Sequence, residues 1–375
     1  MQITTLNEQC VGKTLGHTIY DSQGRVLLRR GVVLSPSYVK NLRKKGYTQV
    51  YVQNELAPEL DIPQAINEDT RAQATRVTKD FITNALRKNS PDIAPIHSTV
   101  DSILDSLKNQ PDNILNLTSI KTIDDYTFEH CVNVCTLSLI LMRRLTDNKR
   151  ILTKLGKGAL LHDIGKLSVP LEILLKPTSL NNEEYEEVKQ HTIAGYNVLN
   201  QCLSTPIPPQ IALQHHERID GKGYPLQLNG DEIHSLARIV SVADVFDAVT
   251  SSRPYQQKMK THKAMEMLLS VSGTQIDKKI VNLLIKHVAH YPVGSILRLD
   301  SDVIGVVERQ DEASATRPHI RLVVDPDGAI ISQPEQIALS EHPEIEIEAV
   351  LDDYPEHVQR QIRKSTTSAL ESSSS

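Results

Sequence analysis

The spacing of apolar residues along the chain indicates a long helical segment followed by a short region of strands. From about residue 125 to residue 290, apolar positions recur at helical intervals, with a break in the glycine-rich loop after His216. Beyond residue 294, apolar and polar residues alternate in segments 295–299 and 319–324, as they do in half-buried strands. We therefore predict a mainly α protein, in which a helical bundle carries a small β-rich region at its carboxyl end.

The residues before the helical segment predict a small α/β module and two further helices. Residues 18–28 form a predicted hairpin around a turn, and Ser35 followed by Pro36 is a typical helix start. Residues 66–86 and 99–107 have helical spacing, and we expect these helices to pack on their own chain rather than to pair in a dimer. The predicted divisions are 1–60, a regulatory or interaction module; 61–124, a helical linker; 125–293, the central helical domain; 294–355, the β-rich region; and 356–375, a polar, disordered tail.

Composition narrows the classes of protein to consider. The chain has 375 residues and a net charge of −5 with interspersed signs, which argues against binding a DNA or RNA polymer. No apolar run approaches the roughly 18 residues of a membrane span, and no signal peptide is evident, so we expect a cytoplasmic protein that does not bind membranes. The four cysteines form no C-x-x-C pair, and we expect reduced thiols.

Histidines and aspartates scattered through the helical segment supply the candidate chemistry. A lone histidine such as His130 or His191 is usually structural, and Asp244 could be a buried helix cap. Seven such donors are too many for one four-coordinate zinc site, so two metal ions bridged by Asp163, which would activate water for hydrolysis, are the simplest arrangement. The candidate ligands are His130, His162, Asp163, His191, His215, His216 and Asp244.

The order of these residues resembles a known family. His162-Asp163 continues as Ile-Gly-Lys166, and His215-His216 continues as Glu-Arg-Ile-Asp-Gly-Lys-Gly-Tyr-Pro225. This pattern is similar to the HD-GYP family of cyclic di-GMP phosphodiesterases, which lies within the HD superfamily of metal-dependent phosphohydrolases, and the similarity covers about residues 125–293. The resemblance implies that the seven donors bind two divalent ions, iron or manganese.

The resemblance also implies roles for residues around the ligands. Asp163 and Lys166 would be catalytic, with Lys166 meeting the scissile phosphate and protonating the leaving 3′ oxygen. Arg253 would bind phosphate, and Gly221 lets the loop approach a flat dinucleotide. The remaining substrate-binding candidates are Gly223, Tyr224 and Pro225, and the carboxylates expected to orient the imidazoles by hydrogen bonds are Glu217, Asp220 and Asp247.

Two positions depart from the family pattern. Some members have a glutamate that recruits a third metal ion four residues before the first histidine, where this chain has Tyr126, so we expect two ions. A basic residue often follows the Arg-Pro-Tyr run, but here the position is Gln256, which predicts a weaker grip on the second phosphate.

The resulting hypothesis is hydrolysis of cyclic di-GMP to pGpG, with a further cut to GMP left open. Alternatives are hydrolysis of another cyclic dinucleotide or of a ppGpp-type nucleotide, and a catalytically weak sensor of cyclic di-GMP. The sequence also leaves open a homodimer and signalling proteins that bind the loop 215–225 or the amino-terminal module. That module lacks the acidic cluster expected of a phosphoacceptor receiver.

Overall fold

The structure is a computed structural model that describes residues 1–21, 25–85, 91–108, 126–174, 176, 178–251, 258–311 and 314–372. It confirms a mainly α protein with an α/β region at the amino end and a β-rich region at the carboxyl end. Within the described residues, no helix is both long and apolar enough to cross a membrane.

The helical body surrounds one buried helix, α4 (Tyr126–Arg143). Val132, Leu139 and Leu141 of this helix are fully buried, and its apolar residues face several neighbours because other helices enclose it. Polar side chains define where the surrounding helices begin, as in the capping box between Asn181 and Glu184. The helices of the body are α2 (Glu68–Ala85), α3 (Ala94–Lys108), α4 (Tyr126–Arg143), α5 (Lys149–Leu161), α6 (Leu171–Leu174), α7 (Asn182–Cys202), α8 (Ile207–Gln214), α9 (Ser235–Thr250), α10 (Thr261–Val271) and α11 (Lys278–His287).

Helices α2 and α3 pack into this body rather than extending from it. Ile96, Val100 and Ile103 of α3 are fully buried in the same apolar core as residues of α4 and α5. The prediction that these helices pack on their own chain is confirmed.

The amino-terminal region contains two small antiparallel pairs and one helix. Strand β1 (Gln2–Thr5) pairs with β4 (Gln49–Val52), and β2 (Ile19–Tyr20) pairs with β3 (Val26–Leu28), as the hairpin pattern predicted. Helix α1 (Pro36–Lys44) begins at Ser35, whose side chain accepts a hydrogen bond from the backbone of Tyr38.

The carboxy-terminal region is a five-stranded antiparallel sheet in the order β8-β7-β6-β5-β9. Its apolar face shares a core with Met1 and Tyr51, so the two end regions of the chain pack on each other. Tyr354 also donates a hydrogen bond of 3.0 Å to the buried Asn54. The strands are β5 (Ile296–Leu299), β6 (Ile304–Arg309), β7 (His319–Val324), β8 (Gln336–Ala338) and β9 (Ile347–Leu351).

The prediction of a disordered tail over 356–375 is wrong for most of this segment. Residues Glu356–Ser372 form a helix, α12. Val358 and Ile362 are buried against the sheet, where they pack near Ile304. The composition of the tail is polar, but these two apolar residues lie four positions apart and supply one helical face that can be buried.

Candidate metal centre

The predicted ligands come from distant parts of the chain and meet inside the helical body. Several lie at helix ends, where a side chain can project into the space between helices. His130 is in α4, His162 and Asp163 join α5 to a 3₁₀ segment (Ile164–Ser168), His191 is in α7, His215 and His216 follow α8, and Asp244 is in α9.

These donors form two adjacent groups, each with ligand atoms that lie within 4.8 Å of one another. All are buried except His216, which is partly exposed. Nitrogen and oxygen donors that converge at this separation are suited to coordinating a divalent ion. One group is Asp163, His191, His215 and His216, and the other is His130, His162 and Asp244.

Asp163 lies between the two groups, with one carboxylate oxygen toward each. Its Oδ1 atom is 3.5 Å from Nε2 of His191 and 3.6 Å from Nε2 of His215. Its Oδ2 atom is 3.3 Å from Nε2 of His162 and 3.7 Å from Nε2 of His130. Asp163 therefore contacts imidazoles of both groups.

Two buried polar atoms of the centre have no hydrogen-bond partner within the described part of the chain. They are Nε2 of His162 and Oδ1 of Asp163. A buried polar atom without a partner is costly, and a coordinated cation would satisfy both atoms. The residues present therefore fit a metal ion.

Hydrogen bonds to backbone carbonyls fix which nitrogen of three of the imidazoles faces the centre. The Nδ1 atoms of His162, His191 and His215 lie 2.8, 2.6 and 2.9 Å from the carbonyl oxygens three residues earlier in the chain. Because Nδ1 donates its proton to a carbonyl, Nε2 keeps a lone pair for a metal ion.

Burial keeps several imidazoles neutral, which is the form that binds metal. It lowers the pKa of His191 to about 3 and also lowers the pKa values of His215 and His216. These three side chains are therefore available as ligands at neutral pH without releasing a proton.

A family model described as the HD domain matches residues 104–280. Over 268 residues, the chain is 36% identical to cyclic di-GMP phosphodiesterase PA4108 of Pseudomonas aeruginosa, an alignment that covers 71% of this chain and 64% of the relative. A cyclic di-GMP phosphodiesterase of Thermotoga maritima is 39% identical over 175 residues, covering 46% of this chain and 47% of that protein. The 3′3′-cGAMP-specific phosphodiesterase 1 of Vibrio cholerae is 35% identical over 167 residues, covering 44% and 39% of the two chains.

The matched segment contains the two histidine groups and the Gly-Tyr-Pro run together. Over this segment the chain is similar to HD-domain proteins. It spans between about two fifths and two thirds of the length of these curated relatives.

A carboxylate binds the backbone of the glycine-rich loop that follows His216. Glu217 accepts hydrogen bonds from the backbone amides of Leu226 and Leu228, at 2.6 and 3.0 Å. A β-carbon at Gly223 would lie 2.3 Å from the amide nitrogen of Arg218, so only glycine allows the two ends of the loop to approach this closely.

Two of the three carboxylates expected to orient imidazoles contact other groups instead. Glu217 binds the backbone amides of its own loop, and Asp220 pairs with Arg218 at 2.7 Å and accepts from the amide of Lys222. The expectation is wrong for these two residues because the loop turns back on itself and its own donors are nearer.

The third carboxylate, Asp247, does contact an imidazole. Its Oδ2 atom is 2.7 Å from Nδ1 of His130, and its Oδ1 atom accepts from Asn133 at 2.9 Å and from Ser251 at 3.0 Å. Asn133 was missed in the sequence, although it lies three residues after His130 and therefore on the same helix face.

Replacing Asp247 with asparagine is expected to weaken metal binding and any hydrolysis by about 10- to 100-fold, because the amide no longer holds His130 as a charged acceptor does. Metal affinity measured by calorimetry checks this result. The exposed Asp105, which pairs with Lys108, provides the control variant Asp105→Asn. Equal affinity in the two variants would show that Asp247 has no orienting role.

Lys166 lies at the edge of the candidate metal centre. Its Nζ atom is 2.5 Å from Oδ2 of Asp163, and the side chain is partly exposed. Burial alone would lower the pKa of Lys166, but the carboxylates of Asp163 and Asp244 outweigh it and raise this pKa. The ammonium group therefore stays charged at neutral pH.

An aromatic surface borders the same centre. The ring of Tyr224 lies 4.8 Å from that of His216, and Tyr185 meets Tyr224 edge-on at 6.3 Å. The Nζ atom of Lys189 lies over both tyrosine rings, at 4.7 and 5.6 Å. Tyr185 and Lys189 carry no motif signal in the sequence, and only the folding of α7 beside the loop brings them here.

The remaining predicted substrate residues are Pro225 and Arg253. Pro225 continues the loop directly after Tyr224 and is partly buried. Arg253 and the departure at Gln256 lie outside the described residues.

Proposed function

We propose that this chain is a phosphodiesterase that opens cyclic di-GMP to linear pGpG, using two divalent ions, iron or manganese, bound by the two histidine groups. The observation that carries the proposal is the position of Asp163, whose two oxygens face separate sets of imidazoles. Such an arrangement suits a pair of ions that clamp a phosphate ester. Two of the relatives described above bear the name cyclic di-GMP phosphodiesterase.

The metal ions and Lys166 have different roles at the scissile phosphate. When bound, the ions supply Lewis acidity and lower the pKa of water. In this proposal Lys166 contacts the scissile phosphate, and its ammonium group supports that role because it lies beside Asp163 at the edge of the candidate metal centre. As the water oxygen bonds to phosphorus, the water releases a proton to solvent and the bond from phosphorus to the 3′ oxygen breaks. Lys166 gives its proton to that oxygen and is reprotonated from solvent.

The aromatic surface supports a substrate that carries a flat base. Tyr185 is 46% exposed, although it packs beside Tyr224, so part of its ring remains open to a ligand. A guanine could stack on this ring with Lys189 nearby, and stacking on an aromatic side chain contributes about 1–3 kcal/mol per base. This surface does not by itself distinguish guanine from adenine.

The direct test incubates the purified chain, loaded with Mn²⁺ or with Fe²⁺ under anaerobic conditions, with cyclic di-GMP and separates the products by chromatography. A parallel panel contains 3′3′-cGAMP and ppGpp. Preferential release of pGpG supports the proposal, and accumulation of GMP would extend it to a second cut. Tight binding of cyclic di-GMP without turnover, while a known hydrolase consumes it in the same buffer, would favour a sensor instead.

Replacing Lys166 with methionine is expected to lower kcat by about 10²- to 10⁴-fold, because the leaving oxygen loses its proton donor. Metal content should remain unchanged, since Lys166 is not among the ligand groups. Single-turnover kinetics and metal analysis on the same sample check both parts. The exposed Lys108→Met variant is the control, and a Lys166→Met enzyme with normal kcat would remove the residue from the mechanism.

A further inference from the structure

A cavity of about 160 Å³ lies where the helical body meets both end regions of the chain. One wall is formed by the carboxyl end of α9 and the middle of α4, including Asp247 and Asn133. The other walls include Gln2 of β1 and Asp352, which follows β9. None of the seven candidate metal ligands lines it. The cavity is therefore separate from the metal centre and touches it only through Asp247.

Among the residues that the structure describes, three lysine or arginine side chains line this cavity, and they are not equally paired. Lys260 lies 3.2 Å from Asp352 and also donates to the carbonyl oxygen of Val350. Arg71 donates to Asn133, and no second hydrogen bond of its guanidinium occurs within the described residues. Lys258 has neither a hydrogen bond nor an ion pair in the described part of the chain.

The electrostatic environment of Lys258 is unfavourable without a further partner. Burial lowers the pKa of Lys258 to about 8, which leaves the ammonium mostly charged at neutral pH. The carboxylates at the cavity are Asp247, which is engaged by His130, and Asp352, which is 90% exposed at its side chain and pairs with Lys260. Lys258 is half-buried, and the exposed Asp352 only partly offsets the effect of burial on its pKa. An anion in the cavity would offset the remaining cost.

We propose that this cavity binds a compact anion of the phosphate class, either inorganic phosphate or a small phosphomonoester, with Lys258 and Arg71 as its principal partners. The size fits this class, because a cavity of about 150 Å³ accommodates a molecule of benzene size, whereas most pockets for larger ligands exceed about 300 Å³. A guanidinium and an ammonium are the two side-chain groups most suited to phosphate oxygens.

The site is connected to the metal centre by a continuous chain of hydrogen bonds. Arg71 donates to Asn133, Asn133 donates to Asp247 at 2.9 Å, and Asp247 is 2.7 Å from the imidazole of His130. An anion that draws Arg71 toward the cavity weakens the first of these bonds. Anion binding should therefore alter the hydrogen bond between Asp247 and His130 and, with it, the position of this imidazole. The resulting effect on catalysis rests on the proposed function.

Binding is tested by calorimetric titration of the full-length, metal-containing chain with inorganic phosphate. Saturable binding is expected, with affinity reduced at least tenfold in Lys258→Met and retained in Lys258→Arg. The control is Lys263→Met, because Lys263 is exposed and pairs with Glu266 outside the cavity. The Asp163→Asn variant distinguishes phosphate binding in the cavity from phosphate binding at the metal centre. It removes the carboxylate between the ligand groups and leaves the cavity intact.

Three outcomes would overturn the proposal. They are the absence of saturable phosphate binding, binding that survives in Lys258→Met but vanishes in Asp163→Asn, and binding of acetate as tight as that of phosphate. A separate readout compares the rate of cyclic di-GMP hydrolysis with and without saturating phosphate. Coupling between two sites is typically about fivefold or more, so phosphate should change the rate of the wild type by about fivefold or more. It should not change the rate of Lys258→Met. Because calorimetry requires no turnover, failure of the proposed function would leave the binding result intact.

Discussion

Replacing Asp163 with asparagine is expected to abolish hydrolysis of cyclic di-GMP and to remove most of the bound metal. Each oxygen of this carboxylate faces a different histidine group, so the substitution affects both ligand sets at once. Asparagine offers one oxygen and no charge, and its amide nitrogen cannot act as a ligand toward the other group. A loss on the order of 10³-fold or more in kcat/KM corresponds to about 4 kcal/mol of transition-state stabilisation.

Two measurements on one preparation check this result: metal content by elemental analysis and turnover by product chromatography. The exposed Asp231, whose side chain pairs with Arg238, provides the matched variant Asp231→Asn, which should retain both properties. If Asp163→Asn kept the metal content and the turnover of the wild type, a shared carboxylate would be excluded and the proposed centre would be wrong.

Replacing Gly165 with alanine is expected to disrupt the same centre without changing any ligand. A β-carbon at Gly165 would lie 2.0 Å from the carbonyl oxygen of His191 and 2.6 Å from the amide nitrogen of Gly195. Both are backbone atoms, so the 3₁₀ segment and α7 must move apart. This movement separates Asp163 from His191. We expect a loss of about 3 kcal/mol in the free energy of unfolding and at least a roughly 100-fold loss in turnover.

Gly195, which lies opposite Gly165 in α7, provides the control variant for this prediction. A β-carbon at Gly195 would meet no atom closer than 3.4 Å, which is ordinary contact, and alanine is favoured over glycine within a helix by about 1 kcal/mol. Gly195→Ala should therefore leave activity unchanged and keep or raise the free energy of unfolding. Urea unfolding followed by circular dichroism compares the two variants. Equal stability and turnover in both would show that the contact between these segments does not position the centre.

Local patterns were sufficient where each residue's role depends on its near neighbours. The hairpin that contains Ile19 and the helix that begins after Ser35 follow from short-range rules, and the structure has both. The tail shows the limit of composition, because Val358 and Ile362 make a helical face only when a sheet is present to cover it. The sequence does not reveal that the two ends of the chain pack together.

The carboxylates near the candidate ligands also show that local sequence does not specify long-range contacts. Each of these carboxylates lies within a few residues of a candidate ligand, so the sequence predicts the same orienting role for all three: Glu217, Asp220 and Asp247. Only Asp247 reaches an imidazole, because helix α9 places it against α4, whereas the loop satisfies the other two. Asn133 is the converse case, a partner of Asp247 that no motif marks.

The sequence by itself determined which side chains could bind metal and the family that their order resembles, since donor chemistry and motif spacing are properties of the chain. The tertiary structure decided that Asp163 lies between two ligand groups and that Lys258 faces a cavity at the junction with both end regions. Those facts depend on contacts between segments far apart in the chain. Such contacts arise from packing of the whole core, which local residue patterns do not specify.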